Sequence, residues 1–511
     1  MPAFIKSIAP TKLILWEHPI LDVSTAFYAQ LNASNCIPRA TPTMAVDADT
    51  LQFGAAHYVG PSATQFSDLT LLRCQDVWKR YQLDHAIKSG ALGFKLDEDD
   101  VDTNVGFNDS VVFPSGFHGF EFHNIQGYIW QRLYHEMFES LGQRTWLQSR
   151  GGYAGTQAYP TNSYSDGYDY PTYVRGVVNS GFSGLIWAPE MRHATCTPDH
   201  SAEDHADFAR RAQLMFLSPQ AQYNAWDGRD GTTVWPCGDD WLAMFKRHYD
   251  LRAGLHDYLF SAFEKQSRTG IPVARPLVLD SPGDKETWSI DDQYLLGDAL
   301  MFPPAAMSSP TDTSRRVYFP RTAGSWHLWF DNTTTYAPGT WATVLTPIMI
   351  APLFVKGGVP VPFRSADSRD GEKATAATAA AIELVVWAAP TAAPTAPCTA
   401  FSATDHAWTE LYDDDGETTR YKLHAEYWRA RAGFASCAAG SQLSLRFELL
   451  HSGYATTNER VEWRVRQVSA APSHIDCGDG LQGVEWSFDP DLQQLRVPVP
   501  IKPYCACTVH F

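Results

Sequence analysis

The sequence predicts an α/β fold for about the first half of the chain and an all-β fold for the rest, because the spacing of apolar residues changes between the two halves. Up to about residue 260, short apolar runs alternate with longer amphipathic segments, which indicates a parallel sheet with helical crossovers. From about residue 285, short alternating runs are separated by Gly, Pro, Asn and Asp, as in antiparallel sandwiches. A chain of 511 residues is long enough for two to four domains.

Four apolar runs in the first half end in polar or charged residues, as buried parallel strands do: KLILW (12–16), ALGFKLD (91–97), TWLQSR (145–150) and FSGLIW (182–187). Helix-like segments lie between them, for example LTLLRCQDVWKRYQL (69–83) and HNIQGYIWQRLYHEMFESL (123–141). In a closed β/α barrel, reactive residues follow the C-terminal ends of the strands. The residues that end these runs are therefore the first candidates for chemistry.

The second half contains the strand-like runs RVYFP, SWHLWF, LFVKGG, RFELL and VEWRVRQV. A stretch rich in Ala, Thr and Pro interrupts them and predicts an insertion loop or linker. The resulting domain prediction is a barrel domain at 1–283, a proximal β-sandwich at 284–370, a linker at 371–402 and a distal β-sandwich at 403–511.

Charge and hydropathy exclude several classes of partner. The formal net charge is −17 without any Lys/Arg run, so the chain would repel a phosphate backbone and nucleic acid is not an expected partner. The sequence contains no uninterrupted window of about 20 apolar residues, so no membrane span is predicted. The first residues lack the apolar core of a signal peptide, which leaves the compartment open. The oligomeric state is also open, and a homo-oligomer is one of the alternatives.

Nine cysteines are scattered along the chain without a C-x-x-C pair. This pattern indicates neither a zinc site nor a full disulfide framework. The C-terminal cysteines could form one or two bridges or remain thiols. The 17 Trp, 22 Tyr and 27 Phe suit stacking on sugars, but they suit core packing as well.

Two carboxyl groups are needed to cleave an acetal, and the strand ends offer candidates. Asp97 is the first acid after the ALGFKL run, while Asp166 lies in a turn-like segment among tyrosines. Arg150 ends TWLQSR, and Glu190 follows LIWAP. Competing motifs are incomplete: HEMFE lacks the second histidine of a zincin, and SGFSG is one position wrong for a nucleophile elbow.

These segments occur in an order that resembles glycoside hydrolase family 31 over most of the chain. GFKLDEDD resembles the nucleophile motif of that family, and HNIQGYIWQRLYHEMFES resembles the helix that follows it. SRGGYAGTQAYP resembles its R-x-x-x-x-G-x-Q-x-x-P segment, whose acid/base Asp comes nine residues after the Gln. Here Gln157 plus nine gives Asp166, and 166 − 97 = 69 residues separate the two acids.

The resemblance implies a partial TIM (β/α)8 barrel followed by two antiparallel β-sandwich domains. It also implies a retaining exo-α-glycosidase that hydrolyses terminal α-linked hexosides, with an oligosaccharide or glycoside as substrate. Asp97 would be the nucleophile and Asp166 the general acid/base, with carboxyl groups about 5–5.5 Å apart. No metal or organic cofactor is expected. The implied substrate-binding residues are Trp16, Lys95, Arg150, Gln157, Trp187, Glu190, Arg210 and Asn224.

Three departures from the family pattern affect the sugar subsite. Trp187 leads to Pro189 and Glu190, where the family usually has an aspartate before a Gly-rich turn. Arg211 stands where a tryptophan is common, and Asn224 where a histidine is usual. Enzymes distinguish epimers by the hydrogen-bonding residues that surround the sugar. We therefore expect a sugar preference unlike that of common α-glucosidases, with α-galactosides as the first alternative.

The sequence also lacks, before KLILW, the N-terminal β-sandwich and first two barrel strands of the family. We therefore expect a chain without its N-terminal end, either a fragment or one completed by another chain. One alternative function is an inactive or truncated homologue that binds glycans or a protein partner. The retention of Asp97, Asp166, Arg150 and Gln157 speaks against it. A lyase or transglycosylase would use the same pair of acids and remains a further alternative.

Overall fold

The computed structural model describes the greater part of the chain in segments, and all structural statements below concern these residues: 12–19, 21–40, 64–97, 111–164, 169–187, 190–191, 201–223, 238–305, 307–321, 324–331, 333–365, 381–388, 396–398, 406–478 and 483–511. The chain divides into two compact units. Unit 1 is Met1–Ser165 with Gly416–Thr419, and unit 2 is Asp166–Asp415 with Arg420–Phe511.

Unit 1 alternates short strands with helices. Its elements are β1 Ile14–Glu17, β2 Leu21–Asp22, α1 Ala26–Ala33, β3 Arg39–Ala40, β4 Thr64–Gln65, α2 Leu72–Gln82, β5 Gly93–Leu96, β6 Val111–Val112, α3 Gly119–Ser140, β7 Trp146–Ser149 and β8 Thr161–Ser163. Strands β1, β5, β7 and β8 pair in parallel in this order. Three strands predicted from apolar runs, those around residues 12–16, 91–97 and 145–150, are confirmed.

Close strand pairing explains one sequence feature of β5. A Cβ atom on Gly93 would lie 2.2 Å from the carbonyl oxygen of Trp146 on β7, so only glycine fits there. Strand β8 was not predicted from the sequence because its residues, Thr161 to Ser163, are all polar. They are nevertheless buried, and the amide of Asn162 donates to the carbonyl oxygen of Leu147 (3.0 Å). The Asn162 amide thus finds a backbone acceptor inside the sheet, which lets this polar residue lie in a buried strand.

The helices α2 and α3 supply several of the largest buried side chains of unit 1. Trp78 and Trp130 are buried and meet edge to face, with ring centroids 6.2 Å apart. Phe94 of β5 packs against Tyr134 of α3, with centroids 4.6 Å apart. This aromatic packing fixes the helices on the sheet, because aromatic pairs have preferred edge-to-face geometries.

Unit 2 begins with four helices, interrupted by three short strands, and continues with strands. The first part contains α4 Tyr170–Ser183, β9 Ile186–Trp187, β10 Glu190–Met191, α5 Ala202–Phe216, β11 Gln222–Tyr223, α6 Asp239–Gly254, α7 His256–Thr269, β12 Ala274–Pro276 and α8 Leu277–Asp280. The proximal β region contains β13 Tyr294–Leu296, β14 Leu300–Phe302, β15 Ser314–Phe319, β16 Trp326–Leu328, β17 Thr335–Tyr336, β18 Thr340–Leu345 and β19 Phe354–Lys356. The distal region contains β20 Val361–Phe363, β21 Ala381–Trp387, β22 Ala407–Asp413, α9 Arg420–Leu423, β23 Trp428–Cys437, β24 Gln442–Ser452, β25 Arg460–Arg466, β26 His474–Cys477, β27 Ser487–Asp489, β28 Gln494–Pro500 and β29 Tyr504–His510.

The strands of unit 2 form mostly antiparallel sheets, as the sequence predicted. The proximal sheet has the order β12-β13-β14-β19-β16-β17, and β15 pairs with β18. The distal sandwich consists of the sheets β20-β21-β25-β28-β27 and β22-β23-β24-β29-β26. One apolar core, which includes Leu384, Trp463, Phe434 and Phe447, takes side chains from both distal sheets.

The structure corrects the prediction of a linker at 371–402 for the part that it describes. Residues 381–387 form β21, and all seven are buried. This strand pairs in parallel with β25. The error came from the flanking Ala/Thr/Pro composition, and the strand also buries the charged Glu383. One oxygen of the Glu383 carboxylate, Oε1, accepts a hydrogen bond from Ser365 (2.7 Å) and pairs with Arg464 (2.9 Å).

The expectation that there is no full disulfide framework is also wrong for the described cysteines. Three disulfides are present: Cys36–Cys74, Cys398–Cys437 and Cys477–Cys507. Their partners are 30 to 39 residues apart and are brought together by tertiary structure, which spacing rules do not capture. Cys505 is a buried thiol, and Cys196 and Cys237 lie outside the described residues. None of the described helices is both long and apolar enough to cross a membrane.

The burial of β21 predicts that Leu384→Ala will lower the free energy of unfolding by about 2–5 kcal/mol, because it leaves a cavity in the sandwich core. The matched control is Leu345→Ala in β18, where the side chain is 74% exposed, and it should change stability by less than about 0.5 kcal/mol. Urea unfolding monitored by tryptophan fluorescence measures both. Equal effects of the two exchanges would contradict the assignment of β21 to the core.

Candidate active site

Four predicted site residues meet at the C-terminal edge of the parallel sheet in unit 1. Trp16 belongs to β1, Lys95 to β5, and Asp97 and Arg150 directly follow β5 and β7. Lys95 and Asp97 are two residues apart, so strand alternation directs both side chains to the same face. The backbone N–H of Asp97 donates to the carbonyl oxygen of Glu17 (2.7 Å), which continues the β1–β5 pairing up to the acid.

The carboxylate of Asp97 is surrounded by donors and cations. The indole N–H of Trp16 donates to Oδ2 at 2.7 Å. The ammonium of Lys95 lies 3.9 Å from the same oxygen, and Nε of Arg150 lies 3.5 Å from Oδ1. The side chain of Asp97 is 13% exposed, so these charges act where water screens them weakly.

The pKa of Asp97 is lowered below its ordinary value by this environment. Burial by itself raises the pKa, but hydrogen bonds from Tyr164 and Trp16 and the charges of Lys95 and Arg150 outweigh it. Lys95 also lies over the ring of Tyr164, 4.2 Å from its centroid, which holds the cation in place. Asp97 is therefore ionised at neutral pH, the state that a carboxylate nucleophile requires.

Arg150 is positioned by a buried amide on α3. The side-chain amide of Gln131 donates to Oγ of Ser149 and to the carbonyl oxygen of Gly151, both at 2.7 Å. The Ser149 hydroxyl in turn donates to the carbonyl oxygen of Gly151 (2.8 Å). The turn that carries Arg150 is thus fixed on both sides, and the guanidinium, with a side chain only 6% exposed, faces Asp97.

Two residues of this site were missed by the sequence analysis. Tyr164 directly follows β8, so its position at a strand end was a usable signal had β8 been recognised. Glu17 is the second, and its carboxyl accepts hydrogen bonds from the hydroxyl of Tyr134 and the amide of Gln82. Burial raises the pKa of Glu17 to about 8, so this carboxyl is largely protonated at neutral pH. Its place beside Trp16 in the WEHP segment was the available signal.

Three further predicted site residues have contacts of their own in the described part of the chain. Gln157 is exposed in the 3-10 helix Thr156–Ala158, where its Oε1 accepts from the backbone N–H of Gly155 (2.9 Å). In unit 2, the Trp187 indole packs on α4, where a Cβ on Gly176 would lie 2.9 Å from its ring. Glu190 lies in β10 opposite Gln222 of β11.

Arg210 has contacts that give it a structural role in unit 2. It is fully buried in α5, and its guanidinium donates to the carbonyl oxygens of Asp312 (2.8 Å) and Thr346 (2.7 Å). Further donors reach the carbonyl oxygens of Pro310 and Pro347. These contacts join α5 to loops of the β region, and the role of Arg210 beside the sugar stays a prediction. Asp166 and Asn224 lie outside the described residues.

The sequence matches two family descriptions that agree with this architecture. Residues 2–262 match the glycosyl hydrolases family 31 TIM-barrel domain, and residues 270–359 match the glycosyl hydrolase family 31 C-terminal domain. The chain therefore belongs to glycoside hydrolase family 31. The predicted fold class, a TIM-barrel domain followed by β domains, is confirmed.

The chain is similar at low identity to relatives that are named as α-glycosidases. A 1,3-alpha-isomaltosidase of Kribbella flavida is 27% identical over 365 residues, which cover 68% of this chain and 48% of that protein. Alpha-glucosidase 2 of Bacillus thermoamyloliquefaciens is 25% identical over 248 residues, 47% of this chain and 30% of that protein. The chain thus spans less than half the length of these two curated relatives.

A solved structure shows the same fold. The dextranase of family 31 from Flavobacterium johnsoniae, complexed with glucose, superposes with a TM-score of 0.81 at 18% identity. The match covers 100% of this chain and 63% of the dextranase chain. Because the identity is low, this likeness is evidence for the fold only.

The raised pKa of Glu17 predicts a specific pH dependence of stability. Its folded-state pKa of about 8 lies above the ordinary value of 4.5, so the proton stabilises the fold at acid pH, and that stabilisation is lost as the pH rises through 8. Glu17→Gln mimics the protonated form. As the pH rises from 5 to 8, its free energy of unfolding should therefore increase by about 2–4 kcal/mol relative to that of the original chain.

Urea unfolding of both proteins from pH 5 to pH 8 measures this difference. The same exchange at Glu136, a half-exposed glutamate on α3 that pairs with Lys79, is the surface control. It should leave the pH dependence of the original chain in place. A stability difference between Glu17→Gln and the original chain that stays constant across this range would contradict the buried, protonated state of Glu17.

Proposed function

We propose that the protein is a retaining exo-α-glycosidase that removes terminal α-linked hexosyl groups, with Asp97 as nucleophile and Asp166 as general acid/base. The observation that carries the proposal is the ionised Asp97 carboxylate at the C-terminal edge of the parallel sheet, held by Trp16, Lys95 and Arg150. Reactive residues of TIM-barrel enzymes lie at this edge of the sheet.

The proposed reaction is a double displacement. Asp97 attacks the anomeric carbon while protonated Asp166 gives its proton to the leaving oxygen, so the glycosidic bond breaks and a glycosyl ester forms on Asp97. Asp166, now a carboxylate, then removes a proton from water, which attacks the anomeric carbon and releases Asp97. Two inversions give net retention. Asp166 follows Gln157 at the spacing of the family motif, which supports its assignment.

The contacts of Asp97 suit a carboxylate that acts as the nucleophile. Oδ2 accepts the hydrogen bond from the Trp16 indole (2.7 Å), and Nε of Arg150 lies 3.5 Å from Oδ1. Arg150 and Lys95 then stabilise the carboxylate again when it leaves in the second step.

The substrate class rests on the relatives and on the altered subsite. The relatives include an isomaltosidase, α-glucosidases and the alpha-xylosidase of Emericella nidulans, which favours a terminal α-linked sugar as the substrate. Arg211 and Asn224, which depart from the family pattern, favour a changed hydroxyl recognition. We therefore propose a terminal α-glucoside or α-galactoside as substrate, and the following experiment distinguishes them.

Labelling with gluco- and galacto-configured cyclophellitol aziridines tests the nucleophile and the sugar together. We expect one covalent adduct on the peptide that contains Asp97, formed by only one of the two epimers, because the reagent traps a retaining nucleophile. Intact-mass spectrometry and peptide mapping detect it. Asp97→Asn should abolish labelling and lower kcat/KM by at least about 10³-fold, while circular dichroism stays unchanged.

Two outcomes would contradict parts of the proposal. An adduct on another carboxylate would refute Asp97 as the nucleophile. No adduct from either epimer in a folded, monodisperse sample would refute catalysis by this chain and favour a glycan-binding homologue.

The hydrogen bond from Trp16 predicts a shift in the pH–activity profile. Trp16→Phe keeps an aromatic ring but removes the N–H donor, so the pKa of Asp97 should rise and the acidic limb of kcat/KM should move to higher pH by roughly one unit. The control is Trp288→Phe, at an exposed indole of unit 2 whose N–H donates to the carbonyl oxygen of Pro282. If Trp16→Phe left the acidic limb of the kcat/KM profile unchanged, this would contradict the role of the Trp16 N–H in lowering the pKa of Asp97.

A further inference from the structure

We propose that His474, Asp476 and His510 form a binding site for Zn²⁺ on the distal β-sandwich. These residues lie on β26, the edge strand of its sheet, and on the neighbouring strand β29. The site belongs to unit 2 and is independent of the catalytic proposal. Among the described residues, this is the one cluster of three potential ligands whose atoms lie within 4.8 Å of one another.

Strand register brings the three side chains together. His474 and His510 are directly opposite each other in the antiparallel pair of β26 and β29. Asp476 follows His474 by two residues and therefore points to the same face. The two imidazole rings are stacked, with centroids 4.2 Å apart and planes 7° from parallel, and Nε2 of each ring faces Oδ2 of Asp476. Because a metal ion lies in the plane of each imidazole that binds it, one ring must tilt out of this stack when the ion binds.

The two distances from the imidazoles to the carboxylate already suit a tetrahedral metal ion. Nε2 of His474 lies 3.4 Å from Oδ2 of Asp476, and Nε2 of His510 lies 3.3 Å from the same oxygen. In a tetrahedron with Zn–ligand bonds of about 2.0–2.1 Å, two ligand atoms are about 3.3–3.4 Å apart. His474 and Asp476 are exposed, so water can supply the fourth ligand.

The second nitrogen of His474 is oriented for metal binding. Nδ1 of His474 lies 3.1 Å from Oγ of Ser473, whose hydroxyl donates to the carbonyl oxygen of His510 (3.0 Å). Since that hydroxyl proton is already used, Oγ accepts from Nδ1–H. The proton then sits on Nδ1 and the lone pair on Nε2, as in a metal-binding histidine whose ring is held by an outer partner.

The second nitrogen of His510 is less favourably placed, and this gives the proposal a sharp test. Oε1 of Gln442 accepts from the backbone N–H of Cys398 (3.1 Å), so its amide group faces Nδ1 of His510 (3.1 Å) as a donor. This arrangement favours the proton on Nε2 of His510 and a hydrogen bond to Asp476. Metal binding therefore requires the Gln442 amide to turn, which weakens the site without abolishing it.

A disulfide holds the two strands that carry the ligands. Cys477, the residue after Asp476, is bonded to Cys507, its direct cross-strand partner on β29. The edge strand is thus linked covalently at the next residue pair, so the metal does not have to order it. Preorganised ligands of this kind raise affinity because less conformational entropy is lost on binding.

The experiment uses the full chain, which is purified in the presence of a chelator and is then separated from the chelator. Isothermal titration with ZnCl₂ should show one equivalent that is lost, or bound at least tenfold more weakly, in His474→Ala, Asp476→Asn and His510→Ala. Because other sites on the chain can bind zinc, the readout is the difference between proteins. His256→Ala removes an exposed imidazole of the same unit and should leave this equivalent in place. Replacing ZnCl₂ with CoCl₂ should give the visible absorption of tetrahedral Co²⁺.

Gln442→Glu provides a variant that gains affinity, which a misfolded protein cannot imitate. A carboxylate at this position can accept from both Nδ1–H of His510 and the backbone N–H of Cys398. We expect about tenfold tighter Zn²⁺ binding, by the usual size of such outer-partner effects. Equal zinc stoichiometry and affinity in the original chain and in all three ligand variants would overturn the proposal. Unchanged or weaker binding by Gln442→Glu would overturn it as well.

Discussion

The parallel pairing of β1, β5, β7 and β8 is the constraint on which the candidate active site depends. Residues that are 81 positions apart in sequence, Trp16 and Asp97, become hydrogen-bonded neighbours because parallel strands end at the same edge. The hydrogen bond from the backbone N–H of Asp97 to the carbonyl oxygen of Glu17 extends this pairing to Asp97, the proposed nucleophile. The acid is therefore attached to the sheet rather than to a free loop, which limits the positions that its carboxylate can take.

Two acids close to this edge have opposite protonation states, and the difference follows from their partners. Asp97 receives hydrogen bonds from Tyr164 and Trp16 and has two cations nearby, so its charge is stabilised despite burial. Glu17 has only neutral partners, Tyr134 and Gln82, so burial dominates and its proton is retained. One segment, β1, thus supplies both the indole donor for the charged acid and a neutral carboxyl that binds α2 and α3 to the sheet.

The β regions illustrate how polar groups enter a core when their partners are provided. Glu383 lies in the fully buried strand β21, where Ser365 and Arg464 satisfy one carboxylate oxygen. Arg210 is fully buried and donates to backbone carbonyl groups of two loop segments, residues 310–312 and 346–347. These buried charges contribute specificity to packing, because only one arrangement of the chain supplies all their partners.

The sequence by itself determined the fold class, the order of the barrel motifs and the strand ends where Trp16, Lys95, Asp97 and Arg150 lie. It could do so because apolar periodicity and motif spacing are local properties of the chain. It did not reveal β8, β21, the role of Tyr164 or the protonation of Glu17. Each of these depends on partners that are distant in sequence: a polar or charged residue looks exposed until the fold supplies its donors and acceptors. The same holds for the three disulfides and for the His474, Asp476 and His510 cluster, which only strand register brings together.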